Sequence, residues 1–298
     1  KIKLKKNDLI LDIGSNDGTL LKFFDHKKYD LIGVDPTISK FSKYYPKGIK
    51  KISKFFSKKN IKKITKNKKA KLITSIAMFY DLPNPTQFVR DIYNLLDDNG
   101  IWHLEQSYSG YMLDNLSYDT ICHEHLEYYS LKSIKNIFDR CNLKIVDIKF
   151  NKINGGSFAI SVVKKKSTIS SNEKMVNKLL NYEKLKKINL INTYKNFYKK
   201  IFLEKVKLIK FLSKIKKQKK VVIGYGASTK GNVILQFCKL NNNMIKYICE
   251  VNKDKNNCYT PGSNIKIISE TLAKKIQPDY YFVLPWHFKK FILNKFNF

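Results

Sequence analysis

The stretch that decides the fold of this chain is Leu9-Ile10-Leu11-Asp12-Ile13-Gly14-Ser15-Asn16-Asp17-Gly18-Thr19-Leu20-Leu21. An apolar run of strand length passes through a turn between Gly14 and Gly18 and resumes with the spacing of a helix. Glycine allows the backbone to turn sharply and allows a ligand to approach closely. The stretch therefore predicts the first strand, loop and helix of a nucleotide-binding α/β unit.

A second apolar run, Asp30–Val34, is followed by Asp35, which lies 23 residues after Asp12. Folds of this kind hold the ribose hydroxyls of a ligand with an acid at about this distance. A pyrophosphate-binding loop needs a glycine where this chain has Asn16, and acidic Asp17 follows. Acids on both sides of a loop suit a cationic or neutral nucleoside better than a diphosphate. The loop therefore predicts S-adenosylmethionine as the cofactor.

The remainder of the first half alternates apolar strand patterns with helical patterns. The predicted segments are strands at 71–76 and 101–105, helices at 86–96 and 131–141, and strands at 143–150 and 157–163. The four residues 97–100 are expected to end the first of these helices, and a tight turn at Asn154-Gly155-Gly156 joins the last two strands. This order predicts a parallel sheet that ends in an antiparallel hairpin, as in class I methyltransferases.

The second half predicts a helical linker and a second, smaller Rossmann-like α/β domain. The linker carries an apolar stripe at helical spacing, and the strand at 221–225 is followed by a loop and a helix. Ser228 and Lys230 at the start of that helix are candidates for holding a phosphate, and Trp286 ends the last strand where a ligand could stack. The predicted domains are 1–166, the cofactor-binding methyltransferase domain, 167–219, the linker, and 220–298, a domain expected to contact a sugar nucleotide.

The segment 120–130 concentrates ionisable side chains between a strand and a helix capped by Ser130. His123, Glu124 and His125 are the catalytic candidates, because histidine can accept a proton near neutral pH and a carboxylate can orient it. A zinc-protease pattern fails, since Glu127 stands where its second histidine is needed. Two alternating histidines could ligate a metal in an extended strand, but no third ligand is evident. We expect no metal.

Composition limits the other possibilities. The formal net charge is +34, yet Arg90 and Arg140 are the arginines among 58 basic residues, and the lysines are spread along the chain. A surface selected for phosphates usually has clustered arginine, so we expect no specific nucleic-acid partner. No apolar run approaches the roughly 18 residues of a membrane helix. Five cysteines without a C-x-x-C pair favour the cytoplasm.

Taken in order, the motifs resemble those of the sugar-nucleotide C-methyltransferases of deoxysugar pathways. The resemblance covers nearly the whole chain and rests on LDIGSNDGTLL at 11–21, CHEHLEYYSL at 122–131, NGGSFAI at 154–160, GYGASTKGN at 224–232, PG at 261–262 and PDYYFVLPW at 278–286. The family methylates a nucleotide-linked 4-keto-deoxysugar. It also has an N-terminal zinc domain with four cysteines, which has no counterpart here. Either that domain precedes this sequence, which begins with Lys1 rather than Met, or the protein works without it.

The resemblance implies roles for individual residues. The residues expected against S-adenosylmethionine are Asp12, Gly14, Asn16, Gly18 and Asp35. His125 corresponds to the base and Glu124 to its acidic neighbour. Some members have a tyrosine placed near the sugar where this chain has Cys122, so the resemblance implies that Tyr128 or Tyr129 takes the place of that tyrosine. The residues expected to bind substrate are Tyr128, Tyr129, Asn154, Ser228, Lys230 and Trp286.

Two other functions fit parts of the sequence. A sugar-nucleotide oxidoreductase with a nicotinamide cofactor would use two Rossmann units, but the first loop lacks G-x-G-x-x-G and the first half lacks a Tyr-x-x-x-Lys pair. A basic RNA-binding module would use the positive charge and would bind in a strongly salt-dependent way.

Overall fold

The computed structural model describes residues 2–296, except for the side chains of Asn154 and Phe296. The chain divides into two compact units that are not contiguous in sequence. The first unit comprises the chain up to Gly110, Leu126–Lys152 and Gly156–Asn189. The second comprises Tyr111–His125, Ile153–Gly155 and the chain from Leu190 onward.

A seven-stranded sheet forms the centre of the first unit over the described residues. Its strands are β1 (Leu9–Ile13), β2 (Asp30–Val34), β3 (Lys50–Ile52), β4 (Ala70–Ile76), β5 (Leu96–Ser107), β6 (Leu143–Asn151) and β7 (Ser157–Lys164). They lie in the order β3-β2-β1-β4-β5-β7-β6, and β7 runs antiparallel to both β5 and β6 while the other pairs are parallel. This confirms the predicted class I methyltransferase sheet.

Helices surround this sheet and connect its strands. Their bounds are α1 (Ile38–Phe41), α2 (Lys58–Thr65), α3 (Pro85–Leu95), α5 (Leu131–Arg140) and α6 (Glu173–Leu185), whereas α4 (Ser109–Asp114) passes into the second unit at Tyr111. The start of α5 was predictable, because the Ser130 hydroxyl accepts from the backbone N–H of Ser133, whose side chain accepts from the backbone N–H of Ser130. This reciprocal capping satisfies donors that a helix start leaves unpaired.

Two sequence predictions in the first unit were wrong. The glycine turn leads into a single 3₁₀ turn, Leu20–Phe23, rather than an α-helix. Phe24 is extended and β2 begins six residues later, so the connection is too short for several helical turns. The residues 97–100 lie inside β5, which begins directly after α3. Their turn composition is accommodated by a shift of register between β4 and β5.

The second unit contains a four-stranded parallel sheet over the described residues, in the order β10-β9-β8-β11. Its strands are β8 (Val222–Tyr225), β9 (Tyr247–Glu250), β10 (Ile267–Ser269) and β11 (Tyr280–Val283), and its helices are α7 (Ile191–Lys217), α8 (Thr229–Phe237), α9 (Glu270–Ile276) and α10 (Lys289–Phe296). Strand β10 was not predicted, because its three residues are too few to show a strand pattern. The predicted second Rossmann-like fold is confirmed.

The helical segment predicted as a linker contains two separate helices. The first, α6, belongs to the first unit, and α7 belongs to the second. Phe197, Ile201, Leu212 and Ile215 form the buried face of α7, as their spacing predicted. The predicted domain boundaries at 166 and 219 stay a prediction. Along residues 2–296, no helix combines the length and the apolar character needed to cross a membrane.

Candidate functional site

The glycine turn after β1 has a conformation that depends on its glycines. The φ angles of Gly14 and Gly18 are +76° and +74°, a region that side chains disfavour. A Cβ on Gly18 would lie 2.8 Å from the ring of Tyr45, and one on Gly14 would lie 3.0 Å from the Cγ of Met78. The turn therefore brings its backbone close to the ends of β1 and β4.

Asp35 organises the carboxyl end of β2. Its Oδ2 accepts a 3.1 Å hydrogen bond from the backbone N–H of Asn16, and its Oδ1 accepts a 2.7 Å bond from the backbone N–H of Thr37. The Thr37 hydroxyl also donates to Oδ1 at 2.5 Å. A carboxylate has about four acceptor positions, so these three bonds leave Oδ2 able to accept from one ribose hydroxyl. Asp35, the acid predicted to bind ribose, is thus hydrogen-bonded to the glycine turn.

Asp12 lies inside β1, where its side chain is 3% exposed. Its Oδ1 accepts a 2.6 Å hydrogen bond from the hydroxyl of Thr74 on the neighbouring β4. Burial raises the pKa of Asp12 to about 6, with a further increase from Asp35 that the bond from Thr74 opposes. This hydrogen bond links the side chains of β1 and β4 just before the glycine turn.

Tyr45, which was not predicted as a site residue, contacts the glycine turn through its hydroxyl. Its hydroxyl is 2.7 Å from the Ser15 hydroxyl and donates a 3.1 Å hydrogen bond to the carbonyl of Asn16. Burial raises the pKa of Tyr45 to about 12, so the hydroxyl keeps its proton at neutral pH. No spacing rule connects Tyr45 to a loop 30 residues earlier.

A cavity of about 630 Å³ opens beside the turn, within the first unit. Its walls include Gly14, Asp35, Phe55, Met78 and Asn84. Pockets that enclose small ligands usually measure about 300–1,000 Å³ and combine apolar walls with a few polar groups. The size, the apolar wall and the acid at the end of β2 all fit the nucleoside of S-adenosylmethionine. The roles of Asp12, Gly14, Asn16, Gly18 and Asp35 in binding it stay a prediction.

The segment that carries the catalytic candidates belongs to the second unit. A 3₁₀ turn, Tyr118–Thr120, packs on α8, where the Tyr118 ring centroid lies 5.1 Å from that of Phe237. The Tyr118 hydroxyl lies 3.6 Å from the Sγ of Cys238. The predicted histidine segment is thereby fixed to the second Rossmann-like fold.

Asp119 and Trp286 bring distant parts of the second unit together. The indole Nε1 of Trp286 donates a 2.8 Å hydrogen bond to Oδ2 of Asp119, which is 2% exposed. A Cβ on Gly155, whose φ is +90°, would lie 3.1 Å from the Trp286 ring. Trp286 therefore lies between the histidine segment and the turn at Ile153–Gly155, at the carboxyl end of β11. No motif or spacing in the sequence pointed to Asp119.

His125 is half-buried, whereas His123 and Glu124 are exposed. Burial lowers the pKa of His125 and the charge of Lys230 lowers it further, while a hydrogen bond to the backbone of Thr120 and the charge of Glu124 raise it. The hydrogen bond to Thr120 and the charge of Glu124 thus act on the imidazole in the same direction, and the role of Glu124 stays a prediction. The backbone turns from Cys122 to His125, with a 3.2 Å hydrogen bond between them, so the extended strand required by a two-histidine metal site is not formed.

Lys230 interacts electrostatically with both His125 and His287 in the second unit. Burial lowers the pKa of Lys230, and the charges of Asp119 and Cys122 oppose this. Burial also lowers the pKa of His287, with Lys230 lowering it further and Asp119 raising it. At the start of α8, the Ser228 hydroxyl accepts a 3.0 Å hydrogen bond from the backbone N–H of Gly231. The charge of Lys230 thus acts on His125, and Asp119 connects Lys230 to Trp286.

The other predicted substrate residues lie in different surroundings. The Tyr129 ring packs 5.2 Å from Phe79 in the core of the first unit, and its buried hydroxyl has no hydrogen-bond partner among residues 2–296. Tyr128 is partly exposed. Asn154 lies in the 3₁₀ turn Ile153–Gly155, and its side chain is outside the described residues. Across the described part of the chain, no three metal-binding side chains lie close enough to share an ion.

Each half of the chain matches the model of a known protein family. A family model described as a methyltransferase domain matches residues 2–148, and one described as a C-methyltransferase C-terminal domain matches residues 152–297. The chain therefore carries a methyltransferase domain followed by a C-methyltransferase C-terminal domain. The C-methyltransferase NovU of Streptomyces niveus is 28% identical over 295 residues, a match that covers 99% of this chain and 70% of NovU.

Solved structures similar to this C-methyltransferase correspond to about half of it. One is a methyltransferase from Haloferax volcanii in complex with its Trm112 activator, with a TM-score of 0.45, 12% identity and coverage of 55% of this chain and 85% of that one. Another is an S-adenosylmethionine-dependent methyltransferase from Methanosarcina mazei, with a TM-score of 0.42, 17% identity and coverage of 54% and 94%.

The two matching domains and the relative together establish the class of reaction. The chain is an S-adenosylmethionine-dependent methyltransferase, which confirms the predicted enzyme class and cofactor. The alternative of a nicotinamide-dependent oxidoreductase is therefore set aside.

Proposed function

We propose that this C-methyltransferase transfers a methyl group to the carbon beside the keto group of a nucleotide-linked 4-keto-deoxysugar, with His125 as the base. The observation that carries the proposal is the environment of His125. Burial and Lys230 lower the pKa of this histidine, so its imidazole is unprotonated at neutral pH and able to accept a proton. Its hydrogen bond to the backbone of Thr120 fixes the ring.

The proposed reaction needs a base because carbon is a weak nucleophile without one. A keto group makes the hydrogen on the adjacent carbon acidic, and His125 accepts that proton while the electron pair moves into an enolate. The enolate carbon then forms a bond to the methyl group. S-adenosylmethionine supplies this methyl as an electrophile, and the carbon–sulfur bond breaks to leave the neutral thioether. Correct placement of the reactants can contribute about 7–11 kcal/mol, and a positioned base roughly 10²–10⁴-fold in rate.

The second unit supports a nucleotide-linked substrate. Its parallel strand order places β8 and β11 side by side, and ligands of such sheets bind beyond the carboxyl ends of strands where the order reverses. Lys230 and the capped start of α8 follow β8, and Trp286 follows β11. A cation beside a helix start suits a phosphate, and an indole suits a base or sugar face. We therefore keep Ser228, Lys230 and Trp286 as substrate residues.

Comparison with NovU supports carbon as the acceptor, since that relative is named a C-methyltransferase. The five cysteines are free thiols, which supports a reducing compartment, and we place the reaction in the cytoplasm. The lysines that give the chain its charge are dispersed, so we propose no specific nucleic-acid partner. Glu124 and His123 are kept as auxiliary candidates, with Glu124 acting through its charge.

Mass spectrometry of substrates incubated with a deuterated methyl donor tests this proposal. We expect the labelled methyl to appear on a 4-keto-deoxysugar nucleotide, at the carbon beside the keto group. The matched control is the same sugar nucleotide with a 4-hydroxyl group, on which no enolate can form. Equal methylation of the 4-hydroxy compound, or labelled methyl on oxygen, would contradict the mechanism.

A further inference from the structure

Glu183 is an acidic side chain inside the first unit, with 1% of its surface exposed. It lies near the end of α6, on the face of that helix that also carries buried Val176 and Leu179. An acidic residue is rarely buried to this extent unless it is fully hydrogen-bonded, because the removal of its group from water costs several kcal/mol. The hydrogen bonds of Glu183 therefore indicate its role.

Three donors satisfy the two oxygens of Glu183. Its Oε1 accepts a 2.5 Å hydrogen bond from the backbone N–H of Leu131 and a 3.0 Å bond from the hydroxyl of Tyr108. Its Oε2 accepts a 3.0 Å bond from the backbone N–H of Lys132. Two of these donors are the first N–H groups of α5, which a helix leaves without internal partners.

These donors bracket the segment that carries His125. The chain passes from the first unit to the second at Tyr111 and returns at Leu126. Tyr108 lies three residues before the outward crossing, and α5 begins five residues after the return. A single side chain thus holds both ends of a connection of more than twenty residues.

Other contacts hold the same two ends together. The backbone N–H of Ser109 donates a 3.0 Å hydrogen bond to the carbonyl of Tyr129, so the outgoing and returning chains are paired. The Ser130 hydroxyl donates a 3.2 Å bond to Oδ1 of Asn189, which follows α6 in the first unit. Helix α6 and the residue after it therefore fix the returning chain at two successive positions.

We propose that Glu183 is a positioning residue for the base, because it fixes both ends of the segment 109–130 on which His125 is carried. This inference rests on the proposed role of His125. It assigns no contact between Glu183 and any reacting group. The carboxyl group acts through the backbone of α5 and through Tyr108, so its loss loosens the two ends of the segment, while Tyr118 and Asp119 still hold its middle to the second unit. The glycine turn at which the cofactor is expected is not altered.

The substitution Glu183→Gln tests this proposal. A glutamine has one acceptor oxygen, so its amide N–H₂ would face one of the N–H groups of Leu131 and Lys132, and a donor would meet a donor. Glu173→Gln is the matched control, because Glu173 is an exposed acid in the first turn of the same helix. Tyr108→Phe removes the hydrogen bond at the outgoing end and keeps both bonds to α5.

Hydrogen exchange of the full chain reports directly on the segment. We expect E183Q to speed exchange at 109–130 by about 10–100-fold, since a lost hydrogen bond to an acidic group corresponds to a factor of this size. We expect Y108F to have a smaller effect in the same direction and E173Q none. Exchange in β1–β4 should stay unchanged. Unaltered exchange at 109–130 in E183Q, or equally faster exchange throughout the first unit, would overturn the proposal.

Kinetics separate positioning from general stability. We expect E183Q to lower kcat roughly tenfold to a hundredfold, the size of effect that a small misplacement produces, while the Kd for S-adenosylmethionine and the substrate KM change less than about threefold. Wild-type kcat in E183Q would overturn the proposal. The exchange measurement needs no substrate. Normal turnover in His125→Ala would refute the role of His125 as the base. The exchange result would still show whether Glu183 holds the ends of the segment.

Discussion

The indole nitrogen of Trp286 donates a 2.8 Å hydrogen bond to the buried carboxyl of Asp119, which lies 167 positions earlier in the chain. This bond joins the carboxyl end of β11 to the segment that carries His125. Asp119 also acts on the pKa of Lys230 and of His287. Its position therefore connects the fold of the second unit to the charge around the proposed base.

Removing this hydrogen bond should destabilise the second unit. Trp286→Phe keeps an aromatic ring but leaves a buried carboxyl with one donor fewer, a loss of about 1–3 kcal/mol. A double-mutant cycle with Asp119→Ala, followed by urea unfolding, should give a coupling of roughly 0.5–3 kcal/mol. Phe288→Leu changes an exposed ring in the same turn and should have little effect. Strictly additive losses in the cycle would contradict a direct interaction.

The pH dependence of kcat/KM should move in opposite directions in two variants. His125 must be unprotonated to act as a base, so the rate should fall below its lowered pKa. Glu124→Gln removes a charge that raises this pKa, and the fall should shift to lower pH. Lys230→Gln removes a charge that lowers it, and the fall should shift to higher pH. A pH–rate profile that stays in place in both variants would exclude His125 as the titrating group.

Asp35 should contribute to cofactor affinity through its negative charge. Asp35→Asn puts an amide where the carboxylate accepts bonds from the backbone of Asn16 and Thr37. Hydrogen bonds to a charged group contribute about 1.5–3 kcal/mol, so the Kd for S-adenosylmethionine should rise roughly tenfold or more in calorimetry. Asp25→Asn alters an exposed aspartate outside the cavity and is the control. Equal affinity in both variants would remove Asp35 from the cofactor site.

Asp12 should make the stability of the first unit depend on pH. Its pKa is raised from 3.8 to about 6, so the folded chain binds more protons than the unfolded chain between these values. Stability from this group is therefore present at low pH and is lost as pH rises through that window, at a cost of about 3 kcal/mol when ionisation is complete. Asp12→Asn should raise the free energy of unfolding at pH 8 and not at pH 4. The same gain at both values would contradict this.

Local patterns in the sequence predicted the parts of the fold that depend on local interactions. The capping of α5 by Ser130, the strand pattern of β1 and the final hairpin follow from neighbouring residues, and the structure contains all three. The helix expected after Gly18 is absent from the described chain because the short connection to β2, not local preference, decides its length. Propensity yields to such tertiary limits.

In the candidate site too, features formed by neighbouring residues could be predicted and contacts between distant residues could not. The acids and glycines of the turn were identified from their spacing, since consecutive residues form it. Tyr45, Thr74 and Asp119 were not identified, because each meets its partner across 29 or more positions. Asp119 also looks ordinary in sequence, and only the folded second unit gives its buried carboxyl a tryptophan partner.

Deuterium incorporation into the acceptor sugar tests the role of His125 most directly. The reaction is run in heavy water with a 4-keto-deoxysugar nucleotide and S-adenosylhomocysteine, so that a proton can be removed and returned but no methyl can be transferred. We predict that the wild-type enzyme incorporates one deuterium at the carbon beside the keto group, and that His125→Ala does not, although its Kd for S-adenosylmethionine is unchanged. Deuterium incorporation by His125→Ala at the wild-type rate would contradict the proposed mechanism.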